Sequence, residues 1–96
     1  MYVILVVDVK ALNDKVIFEK HLKKEGFTPV VDEEFVYEGD TTTHLFSTRA
    51  FILEVVSKGL EKSGFNVCKI MFQVGNNSME AYQFDKLHNE FIALSV

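Results

Sequence analysis

The segments Leu22-Lys-Lys-Glu-Gly-Phe27 and Leu60-Glu-Lys-Ser-Gly-Phe65 write one pattern twice, once in each half of the chain. Each closes an amphipathic helical stretch with a glycine able to take the left-handed conformation at a helix C-terminus, then restarts on a large apolar residue suited to a strand. A chain punctuated in this way is expected to fold as two β-α-β halves. The repeat constrains architecture and names no reaction.

Around these marks the periodicity orders the elements. Tyr2, Ile4 and Val6 alternate with Val3, Leu5, Val7 and Val9, so the first strand is apolar on both faces and should be an interior strand covered on both sides. Asn13 as N-cap, Asp14 at the positive end of the helix dipole and Lys20, Lys23 and Lys24 at the negative end predict a helix from about Asp14 to Glu25. Its inner stripe is Ile17, Phe18, His21 and Leu22. Phe27 to about Asp32 and Phe35 to about Phe46 read as two strands, with the turn at Asp32-Glu33-Glu34 or at Glu38-Gly39-Asp40. Pro29 removes a ladder donor, which places its strand at an edge.

Ser47 or Thr48 can cap a second helix running through Ser63. Ile52, Val56, Gly59 and Leu60 face inward, Glu54 pairs with Lys58 outside, and Gly59 permits close approach of helix to sheet. Phe65–Val74 alternates as a fourth strand, with Asn66, Cys68, Ile70, Phe72 and Val74 on one face. From Met79 onward two readings compete: Asn77 with Glu80 resembles a capping box for a short helix, whereas Tyr82 and Phe84 alternate like a fifth strand.

The order β-α-β-β-α-β predicts an α+β, ferredoxin-like sandwich. It consists of a four-stranded antiparallel sheet with two helices on one face, forming a single domain over residues 1–96 with residues 79–96 as a C-terminal extension. Ninety-six residues suffice for one core. A two-sided apolar first strand on a one-sided sheet needs a cover, supplied by the C-terminal segment or by a second copy of the chain; a homodimer is the expectation.

Charge and cysteine usage narrow the partners. The formal charge is −4, with Lys10, Lys15, Lys20, Lys23 and Lys24 early in the chain and Asp32, Glu33, Glu34, Glu38 and Asp40 following them. A basic side and an acidic side are expected. Arg49 is the one arginine, which argues against sequence-specific nucleic-acid binding, where arginine forks read bases and phosphates. The single cysteine, Cys68, forbids an internal disulfide and suits a reducing compartment. Tyr2–Val9 is too short to span a membrane and lacks the features of a secretory signal, so the expected location is the cytoplasm, with no membrane partner.

Chemistry has few candidates. Asp8 interrupts the apolar Tyr2-Ile4-Val6 face near the end of the first strand; it either caps backbone N–H groups there or meets a second copy of itself to hold a hard divalent cation. His21, His44 and His88 lie on different elements with no metal-ligand spacing, and His44, after Thr41-Thr42-Thr43, is the one histidine placed for acid–base work. Ser47 and Ser57 have no adjoining base, and no glycine-rich phosphate loop is present. Arg49, in the first turn of the second helix, is a candidate for pairing with an anion, with Asp8 or with a surface acid.

Tyr2-Val-Ile-Leu-Val-Val-Asp8-Val9, Asn13-Asp14-Lys15, Leu22-Lys-Lys-Glu-Gly26 and Phe35-Val-Tyr-Glu-Gly39 together resemble the pattern of the small CRISPR-associated adaptation nuclease and the related virulence-associated protein D. The resemblance covers about the first 40 residues. It implies a ferredoxin-like dimer in which Asp8 is a metal ligand for divalent-metal-dependent nucleic-acid cleavage. The chain lacks the pair of arginines expected at 15–20, carries acidic net charge, and shows no correspondence after Gly39.

Two functional classes follow. The first is a homodimeric protein-interaction or regulatory module without a cofactor, which engages a protein partner through its sheet face, through the acidic hairpin with Glu33, Glu34, Glu38 and Asp40, or through the apolar tail from Phe91. The alternative is an Asp8 nuclease using Mg²⁺ or Mn²⁺. A third class, small-ligand binding at a dimer cleft, fits the fold without a residue signature.

Overall fold

The computed structural model describes residues 1–94. Its elements are β1 (Tyr2–Lys10), α1 (Lys15–Lys24), β2 (Thr28–Pro29), β3 (Val36–Asp40), α2 (Leu45–Ser63), β4 (Val67–Val74), β5 (Glu80–Asp85) and β6 (Glu90–Ala93). The strands form one antiparallel sheet of six, in the order β2-β3-β1-β4-β5-β6. The expected count of four is therefore corrected. Met79 onward resolves the competition in favour of strand, because the 79–94 segment lengthens the sheet beyond β4 instead of folding over it. The capping box does not form: Asn77 donates its side-chain amide to the Val74 carbonyl, and Glu80 is engaged elsewhere. Ser95 and Val96, the end of the apolar tail, lie outside the described residues.

Alternation along the strands decides what each face meets. Val3, Leu5 and Val7 of β1 and Cys68, Ile70, Phe72 and Val74 of β4 are buried, and they join Phe18 and Leu22 of α1 and Ile52, Val55, Val56 and Leu60 of α2 in one core. Both helices thus pack on the same face of the sheet. They run in opposite directions: Asn13, just before α1, donates its backbone N–H to the carbonyl of Gly64, just after α2. Gly59 works between the helices and not against the sheet as expected, for a Cβ there would lie 3.1 Å from Phe18 and 3.3 Å from His21. Tyr37 of β3 is fully buried and donates its hydroxyl to Glu19 of α1 at 2.7 Å, tying this strand to the helix.

Helix ends follow local chemistry with small corrections. Asp14, not Asn13, is the N-cap of α1; its Oδ1 accepts from the Ile17 N–H at 3.0 Å. Helix α2 starts earlier than the Ser47 or Thr48 cap predicts, at Leu45 with His44 as an N-cap whose side chain makes no capping bond to the helix backbone. Ile17 of the predicted inner stripe is 42% exposed. The Glu54–Lys58 pair forms at 2.7 Å. The strands around the predicted hairpin are shorter than expected, because Asp32 and Phe35 take φ of +67° and +59°. That geometry ends pairing, sets the turn at the Asp32-Glu33-Glu34 position and leaves Glu38-Gly39-Asp40 within β3. Pro29 lies in the edge strand β2.

Candidate functional site: the open sheet face

The second face of the sheet carries the residues that alternate with the core. Register places Val36, Val6, Met71 and Ala81 side by side across β3, β1, β4 and β5, an apolar row four strands wide. Glu38, Ile4 and Gln73 form the row on one side of it. Asp8, Lys69, Gln83 and Ile92 form the row on the other. Met71, Ile92 and Tyr2 are exposed, while Ile4, Val6, Val36 and Ala81 keep partial exposure. Both described helices lie on the opposite face, so this row meets solvent. Solvated faces of antiparallel sheets normally alternate to polar residues; the outward side of β1 does not.

Asp8 belongs to this face and is exposed. Its Oδ1 lies 3.7 Å from Lys10 Nζ, and directly opposite residues on neighbouring strands share a face, so Lys69 stands beside it. At the same end of β1, Ala11 and Phe35 both have positive φ, at +55° and +59°, the kind of backbone strain that collects at functional loops. Behind Asp8, on the covered side, burial and then the Asp8 charge push the Cys68 thiol up to about 12, so this cysteine is an unreactive thiol.

The remaining candidates are dispersed. His44 stands exposed at the start of α2, 3.4 Å from Ser47 Oγ and edge-on to Phe46. Next to it Thr41, Thr43 and Thr48 close a hydroxyl cluster with O···O distances of 2.8–3.0 Å. Glu33 and Glu34 occupy the 30–35 loop, Glu34 lying 4.0 Å from Lys15. Asp40 is at the far end of β3, 3.7 Å from the N-terminal amine, and Glu38 between them accepts a bond from the Tyr2 hydroxyl at 3.3 Å. The acidic residues are therefore strung along β3 and its loop. Phe91 packs edge-on against Phe84 at 5.0 Å and is partly buried against the core.

Arg49 does not reach Asp8. It grips Glu80 of β5 through two bonds of 2.6 and 3.1 Å, and Tyr82 donates its hydroxyl to the same carboxylate at 2.7 Å. The Arg49 bond holds the Glu80 carboxyl below its ordinary value, and burial with the bond to Glu80 pushes the Tyr82 phenol up to about 12. Among the described residues no three His, Cys, Asp or Glu side chains come together in a metal-holding group. None of the described helices is long and apolar enough to cross a membrane.

No family model, curated protein or solved structure matches the chain. Function therefore rests on its own residues. Of the site, the alternation of β1 exposes the Tyr2-Ile4-Val6-Asp8 face directly. Val36, Lys69, Met71 and Ala81 enter it only through register, and no local signal in the sequence marks them as its neighbours.

Proposed function

We propose that the protein is a homodimeric interaction module that assembles through its open sheet face. The observation that carries this reading is the row Val36, Val6, Met71 and Ala81, apolar across four strands and left to solvent by the described chain. An isologous contact places such a row against itself, removing apolar surface from water on both copies at once. What supports a ferredoxin-like unit beneath it is the strand order β2-β3-β1-β4 with two helices on one face, to which β5 and β6 are added beside β4. Light scattering at high micromolar concentration is expected to give twice the 11.0 kDa chain mass. Met71→Lys, which sets a charge in the middle of the row, should return single chains with the same circular dichroism. A wild type that scatters as single chains removes the reading.

The second reading, a divalent-metal nuclease, is favoured by one observation: Asp8 lies on this same face, beside the strained Ala11 and Phe35. A single chain does not fit a hard cation there. It offers one carboxylate flanked by Lys10 and Lys69, and Mg²⁺ or Mn²⁺ requires several oxygen ligands. The nuclease reading thus depends on a second Asp8 from a second copy. Cleavage of single- and double-stranded DNA and RNA with Mg²⁺ or Mn²⁺, comparing wild type with Asp8→Ala purified identically, decides it. Activity present in the wild type and abolished in the variant supports a ligand role, and equal activity or none in both proteins rejects it.

A further inference from the structure

On the side of the molecule away from the open face, α1 and α2 leave a groove between them. Ile17, Lys20, His21 and Lys24 recur at helical spacing and form one stripe of α1, and Lys62 of α2 completes the lining of a cavity of about 330 Å³. That volume lies within the range of small-molecule sites. No carboxylate lines it, although the chain as a whole is acidic. Lys58 and Lys15 each have an acid within 4.0 Å, Glu54 and Glu34 respectively. Among the described residues, Lys20, Lys24 and Lys62 have no such partner. Lysines four apart on one helix repel each other, and a third brought across from α2 adds to that repulsion unless an anion lies between them.

A second observation concerns the histidine beneath the lysines. His21 is 8% exposed, and its Nε2 is a buried atom with no hydrogen-bond partner. Its Nδ1 lies 3.4 Å from Lys62 Nζ. An ammonium only donates, so Nδ1 accepts and the ring hydrogen is on Nε2. The Lys62 ammonium is thus parked on a weak neutral acceptor at the floor of the groove, and the donor on the far side of the ring is unanswered. An incoming oxyanion would offer Lys62 an oppositely charged acceptor in place of the neutral imidazole, adding direct attraction between the two charges to the bond.

We propose that this groove binds a small organic phosphate. Lys20, Lys24 and Lys62 hold the phosphate, His21 forms the floor, and the exposed Ile17 side chain receives the organic part.

The test is a titration of the full ¹⁵N-labelled chain with phenyl phosphate and, separately, inorganic phosphate at constant ionic strength, followed by backbone amide signals and by the His21 imidazole nitrogens. Saturable shifts are expected along residues 17–24 and at Lys62, with the Nδ1 signal moving as Lys62 turns to the anion. Phenyl phosphate should bind about tenfold more tightly than inorganic phosphate, through the apolar contact with Ile17. Lys62→Gln, or Lys20→Gln with Lys24→Gln, should weaken binding about tenfold, whereas Lys23→Gln, outside the lining, should leave it unchanged. These are solvent-facing substitutions, and unchanged unfolding curves certify the fold. Shifts that do not saturate, an effect of Lys23→Gln equal to that of Lys62→Gln, or equal affinity for the two phosphates would each overturn the proposal.

Discussion

The two faces of the sheet are built from the same strands, one residue out of step, and they are treated in opposite ways. On the covered face Val3, Leu5, Val7, Cys68, Ile70, Phe72 and Val74 are sealed by the chain's own helices. On the open face Tyr2, Ile4, Val6 and Met71 carry comparable apolar bulk, and no described element is set over them. Intrachain packing therefore accounts for only half of the apolar content of β1. The contrast separates a face whose role is settled by packing within the chain from the face that the proposed dimer would use, and adjacent residues on one strand can tell the two apart.

Phe72 and Met71 offer the widest separation. Phe72 is fully buried and stacks on Tyr82 with ring centroids 5.6 Å apart, whereas Met71 points the other way and is 37% exposed. Phe72→Ala should cost about 3–5 kcal/mol, from lost transfer energy and the cavity left behind. For a domain holding only about 5–15 kcal/mol in total, that loss shows in urea unfolding as a large fall in midpoint. Met71→Lys should leave the unfolding of the isolated chain nearly unchanged and alter the oligomeric mass. If Met71→Lys unfolds the monomer as severely as Phe72→Ala, the open face is part of the intrachain core and the comparison fails.

The covered face was the more legible of the two in the sequence, for a physical reason. Alternation in β1 and β4, the helical stripe Ile17, Phe18, His21 and Leu22 apart from its exposed first member, and the glycines at 26 and 64 are local signals, and each landed close to its place. What sequence could not supply was pairing. The apolar and aromatic content of 27–46 argued for longer strands than exist, because the positive φ of Asp32 and Phe35 cuts the ladder and is invisible in composition. Asn77 with Glu80 imitated a local cap because the true partner of Glu80, Arg49, is 31 positions away. The open face suffered most: Asp8 was visible as a carboxylate in an apolar run, but Lys69 beside it depends on the β1–β4 register.

Gly39 and Glu38 repeat the test at smaller amplitude on β3. A Cβ at Gly39 would stand 2.8 Å from the Gly26 carbonyl oxygen and 3.2 Å from the Phe27 ring, and backbone cannot step aside as a flexible side chain can. Gly39→Ala is expected to lower stability by about 1–3 kcal/mol through overpacking of the covered side. Glu38, next in sequence and directed to the open side, loses only a 3.3 Å bond from Tyr2 when changed to alanine, and its effect on monomer unfolding should be within about 0.5 kcal/mol. Equal losses in the two variants would mean that the faces are not energetically distinct at this edge.

The smallest effect concerns how far the covered face extends. Arg49 and Glu80 bind β5 to α2, so the added strands belong to the covered layer only as firmly as this partly exposed pair holds. Glu80→Gln keeps the shape and removes the charge, and it should cost about 1 kcal/mol at neutral pH. The sign of its pH dependence follows from the direction of the shift. Bonding to Arg49 lowers the Glu80 value in the folded chain, so its contribution is complete above the ordinary glutamate value of about 4.3 and is lost as pH falls through the lower folded value. The stability difference between wild type and Glu80→Gln should therefore be flat from neutral pH down to that point and shrink below it. A difference that grows on acidification would mean that Glu80 is better bound when protonated, and β5 would then be held by the stacking of Tyr82 on Phe72 and the edge-on packing of Phe84 against Phe65 instead of by the ion pair.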